Sequence, residues 1–210
     1  MTVLGFISDI HADLKSLRRA LDILQGQGVE HIICAGDLVD KGSEGDAVVS
    51  LIRERNIPSV MGNHDYMVYR NQQWLAKHAA AHDGELVTQE TMDYLDTLPE
   101  TLTFSFNGKW LLLAHGSPWS NMEYIYSYSR REVFEQITRL YKTDVIVLGH
   151  THEPMQIEIG SLLVLNPGSV CRTYADGSGT CATLSLPDFN FRVFDIYNCN
   201  RIQPAYHKWS

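Results

Sequence analysis

The sequence predicts a mixed α/β domain whose first part alternates strands and helices and whose second part is almost all β. Three observations carry this expectation. Short apolar runs at 2–7, 31–35 and 57–61 are separated by helical patterns, a βαβαβ order that implies parallel strands covered by helices. Hairpin signals take over later, led by Asn107-Gly108 between two strand-like runs. The 210 residues show no repeat, low-complexity linker or composition break, so a single domain over 1–210 is expected.

Each element has its own reason. "TVLGFI" (2–7) reads as a buried strand, and Leu14, Leu17, Leu21 and Leu24 then recur at helical spacing until Gly26 and Gly28 stop the helix. "HIICA" (31–35) is the next strand. A helix at about 43–55 carries Ala47, Val48, Leu51 and Ile52 on one face, with Ser43 and Asp46 read as its capping box. "IPSVM" (57–61) is expected to be the third strand. Residues 66–99 look mostly helical and aromatic-rich, and Pro99 closes them. "TLTFSF" and "KWLLLA" form a hairpin, and Val133, Phe134, Ile137 and Leu140 mark a helix at about 130–141 before the strand "VIVL". Two further hairpins, "MQIEI"/"LLVL" and "TCATLSL"/"FRVFDIY", complete the chain.

Bulk properties exclude several functions. The net charge is −8 with no block of like charges, which leaves no footprint for duplex nucleic acid or a membrane face. An acidic balance still suits an enzyme acting on phosphate esters, because metal ions can supply positive charge locally. Cys34, Cys171, Cys181 and Cys199 include no Cys-x-x-Cys pair, against a zinc ribbon or a redox motif, and Cys34 within "HIICAG" reads as a core thiol. "TVLGFI" is too short and lacks the basic leader of a signal peptide, and no apolar run approaches the roughly 20 residues of a membrane span. A cytoplasmic location is expected, and the oligomeric state is left open.

Chemistry-bearing residues follow the strands. "SDIHAD" supplies Asp9 and His11, "AGDLVDKG" supplies Asp37 and Asp40, and "MGNHDY" supplies Asn63, His64 and Asp65. "HGSP" adds His115, and "GHTHEP" adds His150 and His152. Each piece alone has an ordinary reading as a cap, a turn or a hydrogen-bonded histidine. Together they fall at five strand ends, where open α/β sheets place their ligand site. Carboxylates and imidazoles gathered in one crevice would repel and desolvate one another unless cations were present.

Asp-x-His, Gly-Asp, Gly-Asn-His-Asp, His-Gly and Gly-His-x-His in this order resemble the calcineurin-like metallophosphoesterase superfamily, with "NPGS" (166–169) similar to the loop that follows. Within it the chain looks most like the small bacterial and archaeal phosphodiesterase-type members. The resemblance implies a four-layer α/β/β/α sandwich with a dinuclear site at the strand C-terminal ends. It implies that Asp9, His11 and His152 hold one metal, that Asn63, His115 and His150 hold the other, and that Asp37 bridges both. It leaves His64 facing the substrate as general acid, with Asp65 orienting it.

Two such ions would acidify a water into the nucleophile of an in-line displacement at phosphorus. The oxygen/nitrogen donor set suits Mn²⁺ first, and also Fe, Ni, Co or Zn. Lys41 and Met61 stand where protein-phosphatase relatives carry arginine, the bidentate phosphate clamp. A phosphodiesterase acting on a small or nucleotide-like substrate is therefore the expected activity. The alternatives are a phosphomonoesterase of the Ser/Thr phosphatase type, a dinucleoside polyphosphate hydrolase, and a non-catalytic scaffold. Aromatic segments 66–74 and 118–128 either wall the cleft or pack into the core, the commoner fate of aromatic faces.

Overall fold

The computed structural model describes residues 1–78, 87–172 and 178–209, and no side chains within 72–78. In chain order the elements are β1 (Thr2–Ile7), α1 (Leu14–Gly26), β2 (His31–Cys34), α2 (Gly45–Glu54), α3 (Asn63–His78) and α4 (Gln89–Asp96). There follow the hairpin β3 (Thr101–Phe106) and β4 (Lys109–Ala114), then α5 (Arg131–Leu140) and β5 (Val145–Val147). The rest is β6 (Met155–Ile159), β7 (Leu162–Asn166), β8 (Thr180–Leu186), β9 (Asn190–Asp195), β10 (Arg201–Ile202) and β11 (Ala205–Trp209).

These strands make two sheets, ordered β10-β9-β8-β1-β2 and β11-β6-β7-β5-β4-β3. Side chains alternate across each strand, and the sequence uses both faces. Leu4 and Phe6 of β1 meet Leu111, Leu113, Val145, Val147, Leu163 and Leu165 of the other sheet, forming the core between the two. Their alternates face outward. Ile7 packs under α1, α2 and α4, while Leu112, Ala114 and Ile146 pack under Phe134 and Ile137 of α5. The implied four layers are present.

The Asn107-Gly108 turn has both residues at positive φ (51° and 73°), as a two-residue type I′ hairpin requires. Helix α1 is capped by Asp13, whose carboxylate accepts from the Ser16 backbone N–H at 2.9 Å. Cys34 is buried and unbridged, as its apolar surroundings predict.

Two local expectations fail. Residues 57–61 run parallel to β2 but reduce to one bridge, Cys34 to Ser59. Pro58 has no N–H to give a ladder, so its carbonyl accepts from Cys34 and pairing goes no further. The Ser43/Asp46 capping box does not form either, because α2 starts at Gly45 with no side-chain cap. Asp46 instead accepts from the Thr88 N–H and hydroxyl at 2.9 and 2.8 Å, tying α2 to the start of α4. Part of the helical region expected over 66–99, residues 79–86, lies outside the described residues.

Candidate metal centre

The loops after β1, β2, β4 and β5, together with the start of α3, meet at one end of the sandwich. Gly149 donates to the His115 carbonyl at 2.8 Å and Asp9 donates to the Gly36 carbonyl at 2.9 Å, so neighbouring loops are stitched by backbone bonds. Asp9, His11, Asp37, Asp40, His150 and His152 all adopt left-handed φ between 50° and 71°. Such conformations cost energy in non-glycine residues and cluster where side chains must be aimed against backbone preference. The glycines beside them are needed for space. A Cβ on Gly62 would stand 2.0 Å from Asp37 Oδ1, and one on Gly149 would stand 2.1 Å from Ser8 Oγ.

All of the expected site residues come together. Asp9, His11 and His152 form one group of potential ligand atoms, and Asp37, His115 and His150 form a second. His152 Nε2 lies 3.4 Å from Asp9 Oδ1, and His11 Nε2 lies 3.2 Å from His152 Nε2. Asp37 Oδ2 lies between the groups, 3.3 Å from His115 Nε2 and 3.8 Å from His11 Nε2. Asn63 Oδ1 is 2.9 Å from His115 Nε2. His115 Nδ1 donates to the Ala35 carbonyl at 2.6 Å, which directs Nε2 into the centre.

Charge explains why these atoms call for a cation. Asp9, Asp37 and Asp65 are fully buried, and no Lys or Arg is buried among the described residues. Burial would raise the Asp37 pKa, yet His115, His11 and His64 hold it far below the usual carboxylate range. Burial also acts to lower His115, but Asp37 and Asp9 outweigh it and lift that imidazole to about 9. His11 falls to about 4 by burial, and His150 falls to about 4 by burial and by its neighbour His115. Neutral imidazoles beside ionised carboxylates are ready-made ligands.

The buried His150 Nε2 has no hydrogen-bond partner among the described residues. Two nitrogens bound to one ion at about 2.1 Å each stand roughly 3 Å apart, close to the His11–His152 separation. The donor set therefore fits divalent metal.

A two-sheet sandwich with such a donor set at its strand ends defines a metallohydrolase. Residues 1–188 match the calcineurin-like phosphoesterase superfamily domain, and the chain belongs to that family. The chain is 28% identical to the uncharacterized protein MJ0912 of Methanocaldococcus jannaschii, over 99% of this chain and 91% of that one. It is 26% identical to phosphodiesterase MJ0936 of the same organism, over 90% of this chain and 96% of that one. A metallophosphoesterase crystal structure from Sphaerobacter thermophilus superposes with a TM-score of 0.69 at 24% identity, covering 97% of this chain and 89% of that one, and so shares the fold.

One expected contact differs. Asp65 does not touch His64. Its carboxylate accepts from the backbone N–H groups of Asp37, Leu38, Val39 and Gly62 at 2.8–3.1 Å, bracing the β2 loop against the turn before α3. Burial pushes Asp65 up to about 6, with the Asp37 charge adding to it. The partner of His64 is Asp40, whose Oδ2 accepts from Nδ1 at 2.6 Å.

Sequence reasoning noted Asp40 at the strand end but gave it no role, because a contact 24 residues away leaves no spacing signal. It also missed the supports of His150, which makes a backbone hydrogen bond to Met122 and lies under the Tyr124 ring. Asn166 of "NPGS" donates to the Gly149 carbonyl at 2.7 Å, and Ser169 donates to the Asp9 carbonyl at 2.8 Å, so that loop clamps both metal-facing turns.

Proposed function

We propose that this chain is a phosphodiesterase, a single 210-residue cytoplasmic domain that uses two divalent ions, Mn²⁺ first, on a small phosphoester. When bound, the ions supply nucleophile activation and neutralise charge on phosphate oxygens. Asp9, His11 and His152 would hold one, Asn63, His115 and His150 would hold the other, and Asp37 would serve both. The observation that carries this reading is the position of Asp37 Oδ2, within 3.8 Å of imidazole nitrogens from both groups.

Within this reading His64 is the proton donor rather than a ligand, although it groups with His11 and Asp37, and Asp40 accepts from its Nδ1. Burial lowers the His64 pKa, but the Asp40 hydrogen bond and the Asp37 charge more than compensate, so it is raised overall. An imidazole whose proton is held more tightly than usual can give that proton from Nε2 to a departing alkoxide. Asp65 keeps the two loops that carry Asp37 and His64 in register.

The diester preference follows from charge. Lys41 is a cation felt by both His11 and His64, and it is a point charge where a bidentate guanidinium would grip a doubly ionised monoester. The name of the relative MJ0936, a phosphodiesterase, agrees with this reading. The test compares kcat/KM of the Mn²⁺-loaded protein on aryl diesters and aryl monoesters with the same leaving group. A ratio above one is expected. A strong monoester preference would overturn the diester reading, and full activity after chelation would overturn the metal reading.

A further inference from the structure

Beside the centre, residues 124–128 run from the His150 ring out to solvent. Ile125 is buried in the core under α5, while the Tyr124, Tyr126 and Tyr128 rings stack one on the next along this segment. Tyr124 stacks on the His150 imidazole with ring centroids 3.8 Å apart. Tyr126 stacks on Tyr124 at 5.9 Å and Tyr128 on Tyr126 at 5.0 Å, with planes within 7° of parallel. The ladder is anchored rather than loose. Ser129 Oγ accepts from the Tyr126 N–H at 2.9 Å, and Asn121 Nδ2 donates to the Gly62 carbonyl at 3.4 Å, next to Asn63.

Mutual stacking of about 0.5–1.5 kcal/mol per pair accounts for the ring contacts. It does not account for Tyr124 and Tyr128 remaining 55% and 75% exposed. Fixed, parallel aromatic faces continuous with a metal-ligating histidine suit a planar ring tethered to the phosphorus being attacked, and rings already held in place lose little entropy when a ligand docks.

We propose that Tyr124, Tyr126 and Tyr128 form the subsite for a nucleobase carried by the phosphoester at the metal centre. This rests on the phosphoesterase reading above and names its substrate class as nucleotides.

The experiment is calorimetric titration of the Mn²⁺-loaded full chain with AMP and with ribose 5-phosphate, which share phosphate and sugar and differ by the base. Stacking of about 1–3 kcal/mol per base corresponds to AMP binding about 5–150-fold tighter. The double variant Tyr124→Ala/Tyr128→Ala should bring that preference toward one, and Tyr124→Phe/Tyr128→Phe should keep it, with metal content measured for each. Equal binding of the two ligands, no AMP binding, or a preference unchanged in the alanine variant would overturn the subsite. Absent diester turnover with the AMP preference intact would remove the phosphodiesterase reading and leave the subsite standing. Turnover without base preference would do the reverse.

Discussion

Replacing Asp40 by alanine tests the proposed proton donor, His64. The bond it removes, His64 Nδ1–H to Asp40 Oδ2 at 2.6 Å, involves a charged acceptor and is worth about 1.5–3 kcal/mol when shielded from water. The two side chains are 20% and 32% exposed, so the lower end applies, about 1.5–2 kcal/mol. That corresponds to a fall of about 10–30-fold in kcat/KM for an alkyl or nucleoside leaving group. A p-nitrophenolate leaves without a proton, so its diester should lose much less.

The pH profile gives a second readout. The His64 pKa is raised, in part by Asp40, and the acid must hold its proton. Activity is therefore lost as pH rises through that pKa, and Asp40→Ala should move the alkaline limb to lower pH. His64→Asn should show the same leaving-group pattern with a larger loss, about 10²–10⁴-fold. Both variants should keep their metals by elemental analysis. Equal losses on the two leaving groups, an unmoved alkaline limb, or missing metal would each refute the reasoning.

Asp37→Asn should reduce occupancy of both ions and cut the rate at least 10²-fold, more than a ligand serving one ion. Full metal content and a near-normal rate would show that Asp37 is not shared. Gly62→Ala forces a methyl against Asp37 Oδ1 and the Asp37 backbone nitrogen, 2.0 and 2.3 Å away, and should cost about 1–3 kcal/mol, read as a lower Tm together with weakened metal binding. In the metal-free protein His115 sits near 9 and is protonated at pH 7.5, so metal uptake should release about one proton. Calorimetry in buffers of different ionisation enthalpy would register that proton, and an uptake heat independent of buffer would contradict it.

What the sequence disclosed depends on how local each signal is. The continuous apolar runs in "KWLLLA" and "LLVLN" marked strands buried on both faces, and Asn107-Gly108 set a turn, because these rules act over a few residues. The site was legible because loops at parallel strand ends must converge, which brings Asp9 and His152 within 3.4 Å across the chain. Pairings that depend on three-dimensional aim escaped. Asp65 is adjacent to His64 in sequence, yet the first turn of α3 points it at the backbone of the β2 loop, while Asp40 reaches the imidazole from another loop. Tyr124 carries no periodic signal that distinguishes a ring over His150 from a ring in the core. Asp46 resembled a local cap and serves a distant helix end.

The left-handed backbone at Asp9, His11, Asp37, Asp40, His150 and His152 has a consequence for how such a sandwich can drift. Each of these conformations costs a non-glycine residue about 1–2 kcal/mol, which glycine would relieve at once. A glycine at any of the six would relax the backbone but also delete a packed side chain and its hydrogen bonds, such as the one Asp37 accepts from the His64 N–H, so strain and chemistry are tied to the same positions.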